Sequence, residues 1–159
     1  MSARALDSAR LHAAIAAQRA RLGGVTTDVD PAGDPAVDPA GLVDRLARDV
    51  LVAHERACVD PSARRLVVRA LAERLEHRAP GRSVEVRVPP DAAVQCVPGP
   101  RHTRGTPPAV VETDPVTFIR LAAGGLSWNQ AVASGNVRLS GQRTDLSPWF
   151  PLVGPPASG

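Results

Sequence analysis

The chain has 159 residues, 43% of them apolar, and a formal net charge of +3. That length fits one compact domain, or a small domain with a helical extension. All 19 basic residues are Arg, they alternate with 16 acids, and aromatics make up only 3%. A nucleic-acid surface wants a basic stripe interleaved with stacking rings, so that class is set aside.

The opening residues lack the continuous apolar core of a signal peptide. No apolar run approaches the roughly 20 residues of a membrane span. Cys58 and Cys96 lie far apart and outside any CxxC pattern. A reduced, cytoplasmic chain with two core thiols is expected.

Residues 2–22 place Leu11, Ala14, Ile15 and Leu22 on one helical stripe, closed by Gly23-Gly24. The stretch 25–38, rich in Asp, Pro and Gly, reads as a flexible linker. Asp38-Pro39 then opens a second helix, with Asp as N-cap and Pro at the first helical position. Its stripe is Leu42, Val43, Leu46, Val50, Ala53 and Ala57. Asp60-Pro61 repeats the device for a third helix, with Leu66, Val67, Ala70, Leu71 and Leu75 inward, ended by Pro80-Gly81. The short connection favours an antiparallel helical hairpin over 39–79.

The period changes from helical to alternating at Ser83. Val84, Val86 and Val88 alternate with Glu85 and Arg87, as a strand with one buried face does. Further strands are expected at 94–97, 109–113 and 136–140, the last turning Val137 and Leu139 to one side. Between the last two lie two helices. Asp114-Pro115 caps the first, whose stripe is Phe118, Ile119 and Ala122 with Leu121 on the flank. Ser127-Trp-Asn-Gln130 is a capping box for the second. Ser147-Pro148 can start a last helical turn, which Pro151 keeps short.

Three stretches carry a family resemblance: Ser83 to Pro90, Gly99 to Pro108 including Arg101-His-Thr-Arg104, and Asp114 to Val153 with Trp128. Within the last, Gly124, Ala131, Ser134-Gly135, Val137 to Leu139, Gly141, Leu146 and Leu152 fall where the pattern wants them. The segment resembles the sterol carrier protein type 2 domain, above all a short bacterial, actinobacterial-type branch of sterol carrier proteins. The resemblance implies an α+β fold: a mostly antiparallel sheet of four to five strands with helices on one face. It also implies an apolar tunnel for a fatty acyl chain or sterol, no catalysis and no cofactor. The expected organisation is a helical N-terminal extension over 1–81, the carrier-like domain over 82–153 and a disordered tail over 154–159.

A lipid site draws its affinity from buried apolar area. The expected lining is Phe118, Ile119, Ala122, Leu126, Val132, Val137, Leu139, Trp149, Phe150 and Leu152. Any of these can equally be plain core. Trp149 and Phe150 stand out because a Pro-limited tail moves more readily than a buried helix. Arg101, His102 and Arg104 offer charge-assisted donors for a carboxylate or phosphate headgroup, or else form a solvated loop.

No metal site is expected, since His12, His54, His77 and His102 are scattered and no pair has i, i+4 spacing. Gly-x-Ser-x-Gly is also absent. Two rival readings remain. The chain also resembles the C-terminal part of mycothiol-dependent maleylpyruvate isomerases, which makes the N-terminal helices a remnant metal-bearing bundle. Alternatively, helices 39–79 dock a protein partner through surplus apolar surface.

Overall fold

A computed structural model describes residues 7–23, 38–99 and 109–154. The expected linker (except Asp38), the loop Arg101 to Arg104, the first residues of the first helix and the end of the tail lie outside the described residues. The chain divides into two compact units, 1–70 and 71–159. The helix α3 (Pro61–Arg78) runs through that division.

In the first unit, α1 (Ser8–Arg21) packs on α2 (Pro39–Glu55). Asp7 and Asp38 cap them, accepting from the amides of Ala9 and Gly41. α1 buries Leu11, Ile15 and Leu22 as the spacing predicts, while Ala14 is only half-buried. The same face also buries Gln18 completely. Both ends of its amide are used: Nε2 donates to the Cys58 carbonyl at 3.1 Å, and Oε1 accepts from the Asp60 amide at 2.8 Å. A buried polar group is tolerated on those terms. Asp49, buried on α2, is paired with Arg19 Nε at 2.9 Å, and Arg21 reaches Asp60 at 3.1 Å. α1 is thus tied to α2 and to the turn before α3 by polar contacts as well as apolar ones.

Ala57 departs from expectation. α2 stops at Glu55, and Ala57 is exposed at φ 53° instead of facing the core. The amide of Cys58 bonds the Ala53 carbonyl and that of Ala57 the His54 carbonyl. This is a Schellman closure, whose left-handed position favours glycine. It also leaves Cys58 half-buried in the connection, where a core thiol was expected.

α3 starts on Asp60, whose Oδ1 accepts from the amides of Ser62 and Ala63. Its buried positions are Ala63, Val67, Val68, Ala70, Leu71, Ala72 and Leu75, with Ala79 just beyond the helix end. The face is therefore broader than a single stripe. It takes in Val68 and leaves Leu66 half-buried.

The second unit holds a four-stranded sheet in the order β2-β1-β3-β4, from β1 (Val84–Val88), β2 (Ala92–Cys96), β3 (Ala109–Thr113) and β4 (Val137–Ser140). β1 pairs antiparallel with β2 and parallel with β3, and β3 antiparallel with β4. The α+β fold is as expected, with two antiparallel pairings of three. Valines 84, 86, 88, 111 and 137 bury one face; Glu85, Arg87, Gln95 and Arg138 lie on the other, polar one. There, Arg87 bonds Glu85 at 2.6 Å, and that bond raises the guanidinium pKa. Leu139 pairs with Val111 on the core side, but β4 is an edge strand and the residue stays 40% exposed.

The turn into β1 interlocks with the end of β2. Ser83 donates its amide and its hydroxyl to the Val97 carbonyl, and Val97 donates its amide to Ala79. A Cβ on Gly81 would stand 2.0 Å from that carbonyl. These contacts hold Val97 at φ 68°, a costly conformation for a β-branched residue.

Ala57→Gly should raise unfolding stability by about 0.5–1 kcal/mol, since it relieves a left-handed alanine at an exposed position. Chemical denaturation checks this, with Ala57→Val as the destabilising counterpart. Cys96 is fully buried at the end of β2; loss of solvation, and secondarily the charge of Glu76, push its thiol from 9.0 up to about 11. The folded pKa is the higher one, so this contribution to stability is complete below pH 9 and declines towards pH 11. At pH 8 a thiol reagent should modify Cys58 and spare Cys96, and Cys96→Ser should flatten the alkaline loss of stability.

Candidate functional site

The site is built where the end of the described chain returns to the end of α4 (Pro115–Ala122). Asp114 nucleates α4 by accepting from the amides of Val116 at 2.9 Å and Thr117 at 3.0 Å, with Pro115 preset for the first turn. The helix buries Phe118, Ile119, Leu121 and Ala122 and closes at Gly124, φ 75°. Leu121, expected on the flank, belongs to the buried set.

A turn through Gly125 and Leu126 leads into α5 (Trp128–Ala133). The capping box forms as read: the Gln130 amide donates to Ser127 Oγ, and the Ser127 amide to Gln130 Oε1. It fixes the start of a helix too short to be stable alone, and so orients Trp128 inward.

After β4 the chain makes a single 3-10 turn, Ser147–Trp149, at the place where a helical turn was expected. Phe150 then lies between two rings. It meets Phe118 edge-on at 6.2 Å and stacks on Trp128 at 6.0 Å with planes 19° apart. The next residues are fastened down. The amides of Leu152 and Val153 both donate to the Ala122 carbonyl, at 2.8 and 2.9 Å. Arg74 donates to the Leu152 carbonyl at 2.9 Å, and Arg78 donates to the carbonyls of Pro151 and Leu152. These contacts all hold the segment on the C-terminal side of Phe150.

Beside Phe150 runs a groove of about 440 Å³, lined by Leu121, Gly124, Gly125, Leu126, Ser127, Trp128, Asn129, Gln130, Ser147, Phe150 and Pro151. Leu121 and Trp128 are buried, Leu126 and Phe150 are half-buried, and Ser127, Asn129, Gln130, Ser147 and Pro151 are exposed. The arrangement is an apolar floor with a polar rim, at a volume within the range of about 300–1,000 Å³ usual for small-molecule sites.

A second hollow of about 350 Å³ is lined by Pro89, Glu112, Thr113, Asp114, Gly135, Asn136 and Arg138. Its polar groups are largely committed: Arg138 stands 3.8 Å from Glu112, Thr113 donates to the Asn136 carbonyl, and Asp114 caps α4. Among the described residues, no three His, Cys, Asp or Glu side chains are grouped to hold a metal ion.

The family model described as bacterial SCP ortholog matches residues 60–152, more than half of the chain. The chain belongs to that family of bacterial sterol carrier proteins. The match takes in α3, β1 to β4 and the groove, whereas the residues that suggested the family begin at Ser83. No curated protein matches the chain.

Against this sterol carrier frame the ten expected lining residues separate. Leu126 and Phe150 line the groove. Phe118, Ile119, Ala122, Val137 and Leu152 are buried core, with Phe118 supporting Phe150 from behind. Val132 and Trp149 are half-buried and Leu139 is exposed on β4; none of the three lines the groove. The proposed anion loop, Arg101, His102 and Arg104, lies outside the described residues. The sequence reading missed Leu121, Trp128 and Pro151 as groove walls. The signal for Trp128 was available, because the capping box determines which way the first helical residue points.

Phe150 holds the wall of the groove by ring contacts made at only half burial. Phe150→Ala should therefore cost about 2 kcal/mol, below the usual core value, and should shift Trp emission to the red as Trp128 meets water. Denaturant titration and fluorescence of the variant check both.

Proposed function

We propose that this bacterial sterol carrier protein is a noncatalytic carrier. It holds an apolar molecule, a fatty acyl chain or a sterol, in the groove between the α4–α5 turn and Phe150-Pro151. The observation that carries the reading is the groove itself: an apolar floor of Leu121, Leu126, Trp128 and Phe150 with a polar rim, inside the region the family model matches. An open groove, not an enclosed tunnel, is what supports it. An apolar ligand lying there removes its own surface and that of the floor from water, at about 25 cal/mol for each Å². The rim groups Ser127, Asn129 and Gln130 stay hydrated and orient a polar end.

We further propose that the helices of residues 1–81 are an extension of the carrier-like domain over 82–153, and that the protein works in the cytoplasm. No described helix is long and apolar enough to cross a membrane. The metal-enzyme alternative gains no support from His12, His54 and His77, which lie on three different helices with no metal-binding group among the described residues. Docking through helices 39–79 gains none either. Among the described residues, Leu139 on β4 is the large apolar side chain left exposed.

Titration with palmitate and with cholesterol, followed by Trp fluorescence, should show saturable binding. Leu126→Arg puts a charge on the groove wall at a half-buried position; it should abolish uptake while circular dichroism stays unchanged. Native mass spectrometry of the protein as purified should reveal a retained lipid. Absence of saturable binding by the wild-type chain would end this reading.

A further inference from the structure

Arg78 is the last residue of α3, and two backbone carbonyls receive its guanidinium. Nη1 donates to the Pro151 carbonyl and Nη2 to the Leu152 carbonyl at 3.3 Å. Both acceptors are neutral. Among the described residues no carboxylate pairs with Arg78, and the side chain is exposed. The negative end of the helix dipole compensates part of the charge, worth little at an exposed site. A guanidinium carries five N–H donors in a fixed fork. Two are engaged here, so three remain for a further acceptor.

Pro151 links this cation to the groove. It lines the groove, and its carbonyl receives Arg78. The carbonyls that fix the guanidinium in place also leave it uncancelled, so it is preorganised without being neutralised. The groove supplies apolar contact and its rim supplies only uncharged donors and acceptors: Ser127, Asn129, Gln130 and Ser147. The positive group near Pro151 therefore sets what kind of head suits a ligand whose body lies in the groove.

The geometry points to Arg78 as the headgroup anchor for an anionic amphiphile, a single acyl or alkyl chain ending in a carboxylate or a phosphate. This rests on the groove being the ligand site and adds the class of ligand it selects. The chain lies along Leu126, Trp128 and Phe150, and the anionic head accepts from the donors of Arg78 left over by the two carbonyls. Charge-assisted bonds of this kind are the strong ones, and Arg is suited to both head types.

Three probes with the same sixteen-carbon chain test it on the full chain at pH 8: palmitate, hexadecyl phosphate and hexadecanol. Wild-type protein should bind one or both anions at least about tenfold more tightly than the alcohol. The preference should shrink with added salt, while hexadecanol binding should not. Arg78→Gln keeps a donor for the tail carbonyls and removes the charge; it should equalise the three affinities and leave hexadecanol unchanged. Arg78→Lys, which keeps the charge, should retain the preference for anions. The two anions, compared with each other, tell a carboxylate site from a phosphate site.

Equal binding of all three probes by wild-type protein overturns the headgroup role alone, and so does an equal loss of all three in Arg78→Gln, which marks a tail clip. If no probe binds, the groove reading falls and the anchor with it. A melting curve for each variant confirms that the fold is retained.

Discussion

The geometry of the second unit turns on one backbone oxygen. α4 ends at Ala122, so the carbonyl of that residue has no helical partner one turn on. Two amides from far along the chain, those of Leu152 and Val153, fill the vacancy. Their return places Phe150 against Phe118 and Trp128 and brings Pro151 beside Gly124. Without that return, the α4–α5 turn would have nothing opposite it and no groove would form. The helix stop, the capping box and the Pro-limited tail are three separate local signals whose combined effect is a single concave surface.

Much of this was legible in the sequence because it depends on short-range chemistry. The Asp-Pro openings at 38–39, 60–61 and 114–115, the box from Ser127 to Gln130 and the alternation of Val84, Val86 and Val88 each specify an element through neighbours within a few residues. The sheet order, the parallel β1–β3 pairing and the position of the tail depend on contacts between distant residues, and no local pattern encodes them. Trp149 illustrates the limit. Read as a groove wall because it sits in a Pro-limited tail, it is only half-buried in the 3-10 turn, and its neighbour Phe150 makes the ring contacts. The direction of a side chain in an irregular segment is set by what it returns to. Ala57 failed for another reason: a helix end marked by a left-handed alanine lacks the glycine that normally announces it.

The first unit relies on polar groups that a hydrophobic pattern conceals. Gln18 and Asp49 occupy positions that periodicity treats as part of an apolar face, yet each is buried with its partners supplied from another segment. Such contacts add specificity because their geometry is exacting: one misplaced partner leaves a buried group unsatisfied, at a cost of about 1–3 kcal/mol. They fix how α1 meets the connection between α2 and α3. α3 then continues into the second unit, where Arg74 and Arg78 hold the carbonyls of the returning tail.

The central claim is that a ligand's apolar body lies against Trp128 and Phe150. Intermolecular nuclear Overhauser effects measure this directly, with carbon-13-labelled palmitate added to protein protonated at its aromatic rings. The account predicts cross-peaks from the chain methylenes to the rings of Trp128 and Phe150 and to the methyls of Leu126. Cross-peaks confined to residues of the first unit, or to the polar face of the sheet around Arg87 and Gln95, would contradict it.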